Sequence, residues 1–250
     1  MKIMPNLSGL RAKGALASLT LREERERTLH RKAFMRDLNP FPAELVPSYH
    51  QWYEKPLGLA LATLEKRALF PLLSPLGQGS LLEVGCGTGY FTAWFADLGF
   101  LVVGLDRSAP MLQFARKRYG DLSFLQGSGE ALPFADRSFH VVAFITSLEF
   151  MIHPAAALHE AARVARAAIL LGVINRWSPY SFYRRIRKRA PYRQAHFYSF
   201  SELKSLLQAC LDRPFTMAWT TAILSSRFGY ASSHLPRGGF LAIRVDLMEK

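Results

Sequence analysis

The chain of 250 residues is short of three things, and each shortage closes off a class of protein. It has two cysteines, Cys86 and Cys210, too few for a disulfide framework and without metal-ligand spacing. The expected setting is reducing and cytoplasmic, and no metal is expected. It has no apolar run of 18 residues or more, which argues against a transmembrane helix. It is also short of acid: 19 Asp and Glu stand against 32 Lys and Arg, a formal net charge of +13. That shortage is uneven. Residues 1–36 hold nine Lys or Arg against three Glu, and nine more basic residues lie between Glu160 and Glu202 with no acid among them. Such asymmetry suits an anionic partner or a membrane surface, and it serves solubility equally well. The first 22 residues lack the apolar core of a secretory signal. A loosely ordered basic extension is expected over residues 1–45, with a transit peptide as the weaker reading.

What is there is a chain that can build a core. Half its residues are hydrophobic and a fifth charged, enough to exclude global disorder, and the length fits one large α/β domain, expected over residues 46–250. Short apolar runs recur at Leu81–Val84, Phe100–Leu105, Leu122–Leu125, Val141–Ile145 and Ala168–Ile174. None alternates cleanly, as expected of strands buried on both faces. Helical spacing fills the gaps at Tyr90–Leu98, Ala109–Tyr119 and Ala155–Ala165. That rhythm predicts βαβ crossovers and a parallel sheet. Upstream, Tyr49–Leu73 predicts two helices broken near Pro56 and Gly58. Downstream, Ser199–Ala209 predicts a helix capped by Ser201 or Ser199, and Phe215–Ile223 with Gly239–Asp246 predicts a closing antiparallel pair.

The strongest chemical signal is Leu81-Leu82-Glu83-Val84-Gly85-Cys86-Gly87-Thr88-Gly89-Tyr90. A buried strand enters a turn of three glycines and leaves it as a helix, so a ligand can lie on main-chain N–H groups. The spacing is G-x-G-x-G, and Tyr90 stands where a dinucleotide fingerprint has its third glycine. Glu83 would repel phosphates and attract an ammonium group. Asp106 ends the second run, roughly 20 residues past the turn, where a carboxylate accepts ribose hydroxyls. A tight structural turn and a capping aspartate are the plain alternatives. Third comes Gln126-Gly127-Ser128-Gly129-Glu130, a weak loop signal alone.

Together these residues resemble the class I methyltransferases that use S-adenosylmethionine (SAM), in the branch of ubiquinone- and menaquinone-biosynthesis and small-molecule enzymes. The resemblance runs from about Tyr49 to Phe240. It implies a doubly wound, mostly parallel seven-stranded sheet of Rossmann-like type, preceded by a helical extension, with SAM as cofactor. It implies that Glu83, Gly85, Cys86, Gly87 and Gly89 surround the methionyl end, and that Asp106 holds the ribose. Arg107, Met111, Ser128, Gly129 and Glu130 would flank the adenine, with Thr146 near the transferred methyl. Tyr49 and Trp52 would cover the cofactor from the first helix, core packing being the equal alternative. Two departures stand out. Ser128 occupies a position usually held by Asp, and Arg163-Val164-Ala165-Arg166 replaces the usual Pro-Gly-Gly before strand five.

Strand four ends at the crevice expected of an open α/β sheet, so Thr146, Ser147 and Glu149 should lie near the chemistry. Glu149 reads as a base or as a solvated helix-end carboxylate. His196 reads as a pocket wall or as a structural histidine. Residues 175–198 read as a substrate lid with aromatic surface and an outer face of Arg184, Arg185, Arg187, Lys188 and Arg189, or as an ordinary amphipathic helix. The expected activity is methyl transfer to a small-molecule or lipid-like acceptor, anionic in one reading and met at a membrane surface in another. An RNA methyltransferase and a non-catalytic SAM-binding or assembly protein are the alternatives.

Overall fold

The structure, a computed structural model, describes residues 41–178, 181–182, 192, 195–222 and 238–249. The basic segment 1–40, most of the expected lid and the last residue of the sixth predicted strand, Ile223, lie outside them.

Helices α1 (Val46–Glu54) and α2 (Pro56–Leu73) precede the sheet, and both carry proline in their first turn, where its missing N–H costs nothing. They part at Lys55, as the Pro56 and Gly58 break predicts. Gly58 is required there, since a Cβ would sit 1.8 Å from the Trp52 carbonyl oxygen. The strands follow as β1 (Ser80–Val84), β2 (Leu101–Asp106), β3 (Ser123–Gln126), β4 (Phe139–Ile145), β5 (Ala165–Ile174), β6 (Phe215–Ala222) and β7 (Phe240–Leu247). Their order is β3-β2-β1-β4-β5-β7-β6, with β1 to β5 mutually parallel. Strand β7 is antiparallel to both its neighbours, inserting between β5 and β6. The predicted closing pair is therefore real, and its second strand is the one that meets the parallel sheet.

Helices α3 (Tyr90–Asp97), α4 (Ala109–Arg118), α5 (Pro154–Val164) and α6 (Phe200–Cys210) follow, with short 3₁₀ turns at Ala43–Leu45, Ser74–Leu76 and Leu148–Phe150. Adjacent strand residues divide between two cores. Leu82, Val142, Phe144, Ile169 and Leu171 pack with Leu158 of α5 and Leu203 of α6, while Leu81, Val141, Ile145 and Leu170 pack with Leu69 of α2 and Phe95 of α3. A sheet covered on both faces needs apolar residues at successive positions, which is why none of these runs alternates. Ser199, not Ser201, caps α6, and it forms a reciprocal capping box with Glu202. Ser108 caps α4 by accepting the Met111 N–H.

Helix α5 ends at Val164 and β5 starts at Ala165, so no loop replaces the missing Pro-Gly-Gly. Arg163 does the anchoring there. Its guanidinium donates to Glu160, Asp136 and the carbonyls of Leu132 and Phe134, while Leu132 N–H donates to Glu160. The chain after β3 is thereby tied to α5. Among the described residues no helix is long and apolar enough to cross a membrane.

Candidate functional site

The order of the strands reverses between β1 and β4, and a crevice opens at their carboxyl ends. The glycine turn lies on one side of it. Gly85, Gly87 and Gly89 have φ of 75°, 53° and 80°, conformations that cost a side-chain-bearing residue about 1–2 kcal/mol. Gly85 is also closed in, since a Cβ would stand 2.5 Å from Ser147 Cβ. Gly87 is open: a Cβ there would meet only Tyr49 Cε1, at 3.8 Å. The space between the turn and helix α1 is thus a cradle that a side chain would begin to fill.

Asp106, at the end of β2, ties this turn to the next one. Its Oδ2 accepts the Gly87 N–H and its Oδ1 the Ser108 N–H, both at 2.8 Å. Burial raises its carboxyl above the usual range despite those two bonds. Asp106 is not the helix cap, since Ser108 fills that position in α4; the two bonds leave each of its oxygens a further lone pair for a ligand. Glu83 is buried in β1, and its Oε2 accepts the Thr92 hydroxyl at 2.5 Å. Burial, with the charge of Asp106 added, pushes it up to about 8 against the opposing bond from Thr92. A buried carboxyl in that state gains from a cationic partner.

The other residues expected at the cofactor divide into those the fold gathers and those it turns away. Tyr49 stands over Gly87, and its hydroxyl lies 3.2 Å from that of Tyr53; burial raises its phenol to about 12. Trp52 turns instead toward Gly58 and packs edge-to-face on Tyr53. Met111 is buried under the start of α4, and Gly129 packs on Val84 and Met151. Cys86 is buried within the turn, where burial raises its thiol. Arg107 is half-buried, with its carbonyl accepting from Gln126. Ser128 is exposed, and its hydroxyl accepts the Glu130 N–H. Glu130 spends its Oε1 on the N–H groups of Ile152 and His153, bracing the entry to α5. Tyr90 stacks on Tyr53 at 4.0 Å, clear of the strand it would have crowded in a dinucleotide fold.

Across the crevice, Thr146 takes φ of 48°, strained for a β-branched residue, and donates its N–H to the Gly172 carbonyl. Ser147 donates its hydroxyl to the Val84 carbonyl at 2.6 Å, joining the ends of β4 and β1. Glu149 is 1% exposed, not a solvated helix-end carboxylate. Its Oε1 accepts the Ile174 N–H at 2.7 Å, its Oε2 is buried with no partner among the described residues, and burial pushes the carboxyl up to about 7. The His196 N–H donates to the Glu149 carbonyl, but the imidazole is exposed and lies 3.7 Å from Glu202. The backbones of the two meet and their side chains do not. Within the segment expected to be a lid, Arg176 also pairs with Glu202, and Ser181 is buried with its hydroxyl on the Arg176 carbonyl. Tyr192 contacts the rings of Phe150 and Phe197. Arg184, Arg185, Arg187, Lys188 and Arg189 lie outside the described residues.

Residues 82–168 match the family model described as a methyltransferase domain. A solved structure from Thermotoga maritima, described as a SAM-dependent methyltransferase and possible histamine N-methyltransferase, superposes with a TM-score of 0.68 at 26% identity. It covers 82% of this chain and 96% of its own. The chain belongs to the class I SAM-dependent methyltransferase family. The cofactor that goes with this family is SAM. A demethylmenaquinone methyltransferase of Renibacterium salmoninarum is 41% identical over 86 residues, 34% of this chain and 36% of that protein. An uncharacterised protein of Mycobacterium tuberculosis is 36% identical over 165 residues, 64% of this chain, and the chain spans 55% of its length.

The residues present fit the family's cofactor. The cradle above Gly87 is open, Glu83 offers a buried carboxyl to an ammonium group, and Asp106 offers lone pairs to hydroxyls. Two side chains that touch this methyltransferase turn gave no sequence signal of their own. Thr92 sits nine residues after Glu83 in what reads as plain helix, and His50 of α1 lies 3.0 Å from the Thr88 hydroxyl.

Proposed function

We propose that the chain transfers a methyl group from SAM to a small, flat, largely apolar molecule, and that Glu149 receives the proton the acceptor loses. SAM supplies, when bound, a methyl group already activated on a sulfonium. The chain's own task is then alignment, exclusion of water and proton removal. Glu83 would take the ammonium group, Asp106 the ribose, and Met111 with the Ser128-Gly129 step the adenine side.

The observation that carries the acceptor class is a chain of aromatic contacts, two edge-on and the last tilted. Tyr49 meets Phe41 at 5.1 Å between ring centroids, Phe41 meets Phe150 at 5.2 Å, and Phe150 meets Tyr192 at 6.0 Å. These rings link the helix over the glycine turn to the residue next to Glu149. A wall of ring edges and faces suits a planar, apolar partner. The demethylmenaquinone and histamine descriptions of two relatives are compatible with an aromatic acceptor. A carboxyl near neutrality with one oxygen unpaired among the described residues is suited to take a proton at pH 7.

Purified chain, incubated with methyl-labelled SAM and fractionated cell extract, should put label into small organic-soluble compounds. Glu149→Gln should then lower kcat by about 100-fold, the low end of general-base contributions, with little change in the KM for SAM. Label in RNA or protein alone would overturn the acceptor class, and no transfer at all would overturn the activity. Unchanged kcat in the variant would remove Glu149 from the chemistry.

A further inference from the structure

Helix α1 touches the glycine turn through two consecutive residues that point to different parts of it. Tyr49 lies over Gly87, and His50 places Nδ1 3.0 Å from Thr88 Oγ1. His50 and Thr88 are both buried, at 3% and 1% exposure. The imidazole is walled by rings, with centroids of Phe114 at 4.8 Å and of Tyr53, Tyr90 and Tyr119 at 6.5 Å. Burial first, and then the charge of Arg118, lower the imidazole's affinity for a proton against the opposing pull of Glu54. Its Nδ1 shares one hydrogen bond with the threonine hydroxyl, and its Nε2 lies 4.0 Å from Glu54. The rest of α1 is held by the buried Val46 and Tyr53, while its ion pair of Glu54 with Arg118 of α4 is half-exposed at 3.3 Å, and such pairs contribute little.

We propose that His50 and Thr88 form a clasp that holds α1 down on the glycine turn and so keeps Tyr49 over bound SAM. His50 is a positioning residue: it touches Thr88, and acts on the cofactor through the helix that carries Tyr49. The clasp deepens the cofactor reading of the glycine turn and rests on it. Its geometry explains why a histidine stands in an otherwise aromatic face. Only a side chain with a polar atom two bonds past Cβ reaches the hydroxyl while its ring fills the space among Phe114, Tyr90 and Tyr119.

The test is a double-mutant cycle read by S-adenosylhomocysteine binding. Thr88→Val is nearly isosteric and removes only the hydroxyl; His50→Ala removes the other partner. Each should raise the Kd roughly three- to tenfold, as one neutral hydrogen bond allows, chiefly through faster dissociation. The double variant should bind no more weakly than the worse single one. His50→Asn, whose amide occupies the Nδ1 position, and Thr88→Ser should recover most of the affinity. Tyr49→Ala should weaken binding in the wild-type background and add little once His50 is gone. Should His50→Ala fail to fold, Thr88→Val with Thr88→Ser decides alone. Variants that lose thermal stability yet bind with wild-type Kd and dissociation rate, or that weaken binding independently and additively, would overturn the clasp. Wild-type chain that binds no S-adenosylhomocysteine would overturn the cofactor reading and the clasp with it.

Discussion

At the β1–β2 end of the crevice the carboxylates, Glu83 buried and Asp106 half-buried, are tied into the chain, whereas at the β4–β5 end one is left half-satisfied. Asp106 uses both oxygens on backbone N–H groups, and Glu83 holds Thr92. Glu149 holds one N–H and buries a second oxygen with no partner among the described residues. A buried acceptor without a partner costs roughly 1–3 kcal/mol, so the second arrangement is expensive for the folded chain. The contrast teaches where shape is fixed in advance and where something is lacking. The glycine turn is braced by its own bonds, and a ligand there meets a finished surface. Near Glu149 the fold carries an unspent interaction, as sites of function commonly do.

The contrast breaks most visibly at Asp106. Asp106→Ala would remove a ligand for two hydroxyls and strand the Gly87 and Ser108 N–H groups together. Hydrogen bonds to a charged group are worth about 1.5–3 kcal/mol, so SAM and S-adenosylhomocysteine should bind about 10- to 100-fold more weakly. Calorimetry on folded variant decides it, with NAD as the control that should not compete with SAM. A loss below threefold would mean that the turn keeps its shape without Asp106 and that the ribose is held elsewhere.

That end of the crevice was also the legible one. Glycines at fixed offsets from a strand, and a carboxylate one strand later, are local patterns, and local patterns survive in a sequence. The inner strands β1, β4 and β5 were legible for a similar reason, since both their faces are buried, whereas the edge strand β3 is mostly exposed despite its apolar run. What escaped was long-range. Nothing near His50 announces that Thr88, 38 residues away, will receive its ring nitrogen. Glu130 sits in the expected loop, yet its carboxylate faces Ile152 and His153, 22 and 23 residues on. Glu149 was singled out, but a sequence cannot say which of its oxygens finds a partner. At His196 the backbone reaches Glu149, while the exposed imidazole turns to Glu202, a split no sequence pattern announces.

A smaller effect sharpens the comparison through pH. Burial raises Glu83 to about 8 in the ligand-free chain, whereas an ammonium group prefers the ionised carboxylate. Below pH 8 the carboxyl must therefore lose its proton as S-adenosylhomocysteine binds. Affinity should rise with pH, by at most about tenfold per unit, and level off above about 8. Titrations near pH 7 in buffers of different ionisation enthalpy should register proton release on binding. Glu83→Gln should bind more weakly and lose the slope. A flat profile in the wild-type chain would place the ammonium group away from Glu83.

The smallest expected effect lies at the unfinished end and is read in stability. Burial raises Glu149 to about 7 in the folded chain, while an unfolded glutamate titrates near 4.3. The folded state thus binds more protons between those values. The stability this contributes is full below the unfolded value and is lost as pH rises through about 7. Glutamine cannot ionise, so Glu149→Gln should remove that loss. It should also keep the bond from Ile174 N–H through its amide oxygen while burying an amide N–H in place of the orphan oxygen. The variant should accordingly be no more stable than wild type at pH 5 and gain on it by pH 8. Glu83 contributes a slope of the same sign to both proteins, so the difference between their urea midpoints isolates Glu149. Curves that stay parallel from pH 5 to pH 8 would mean that the buried oxygen carries no charge penalty, and the two ends of the crevice would then be equally finished.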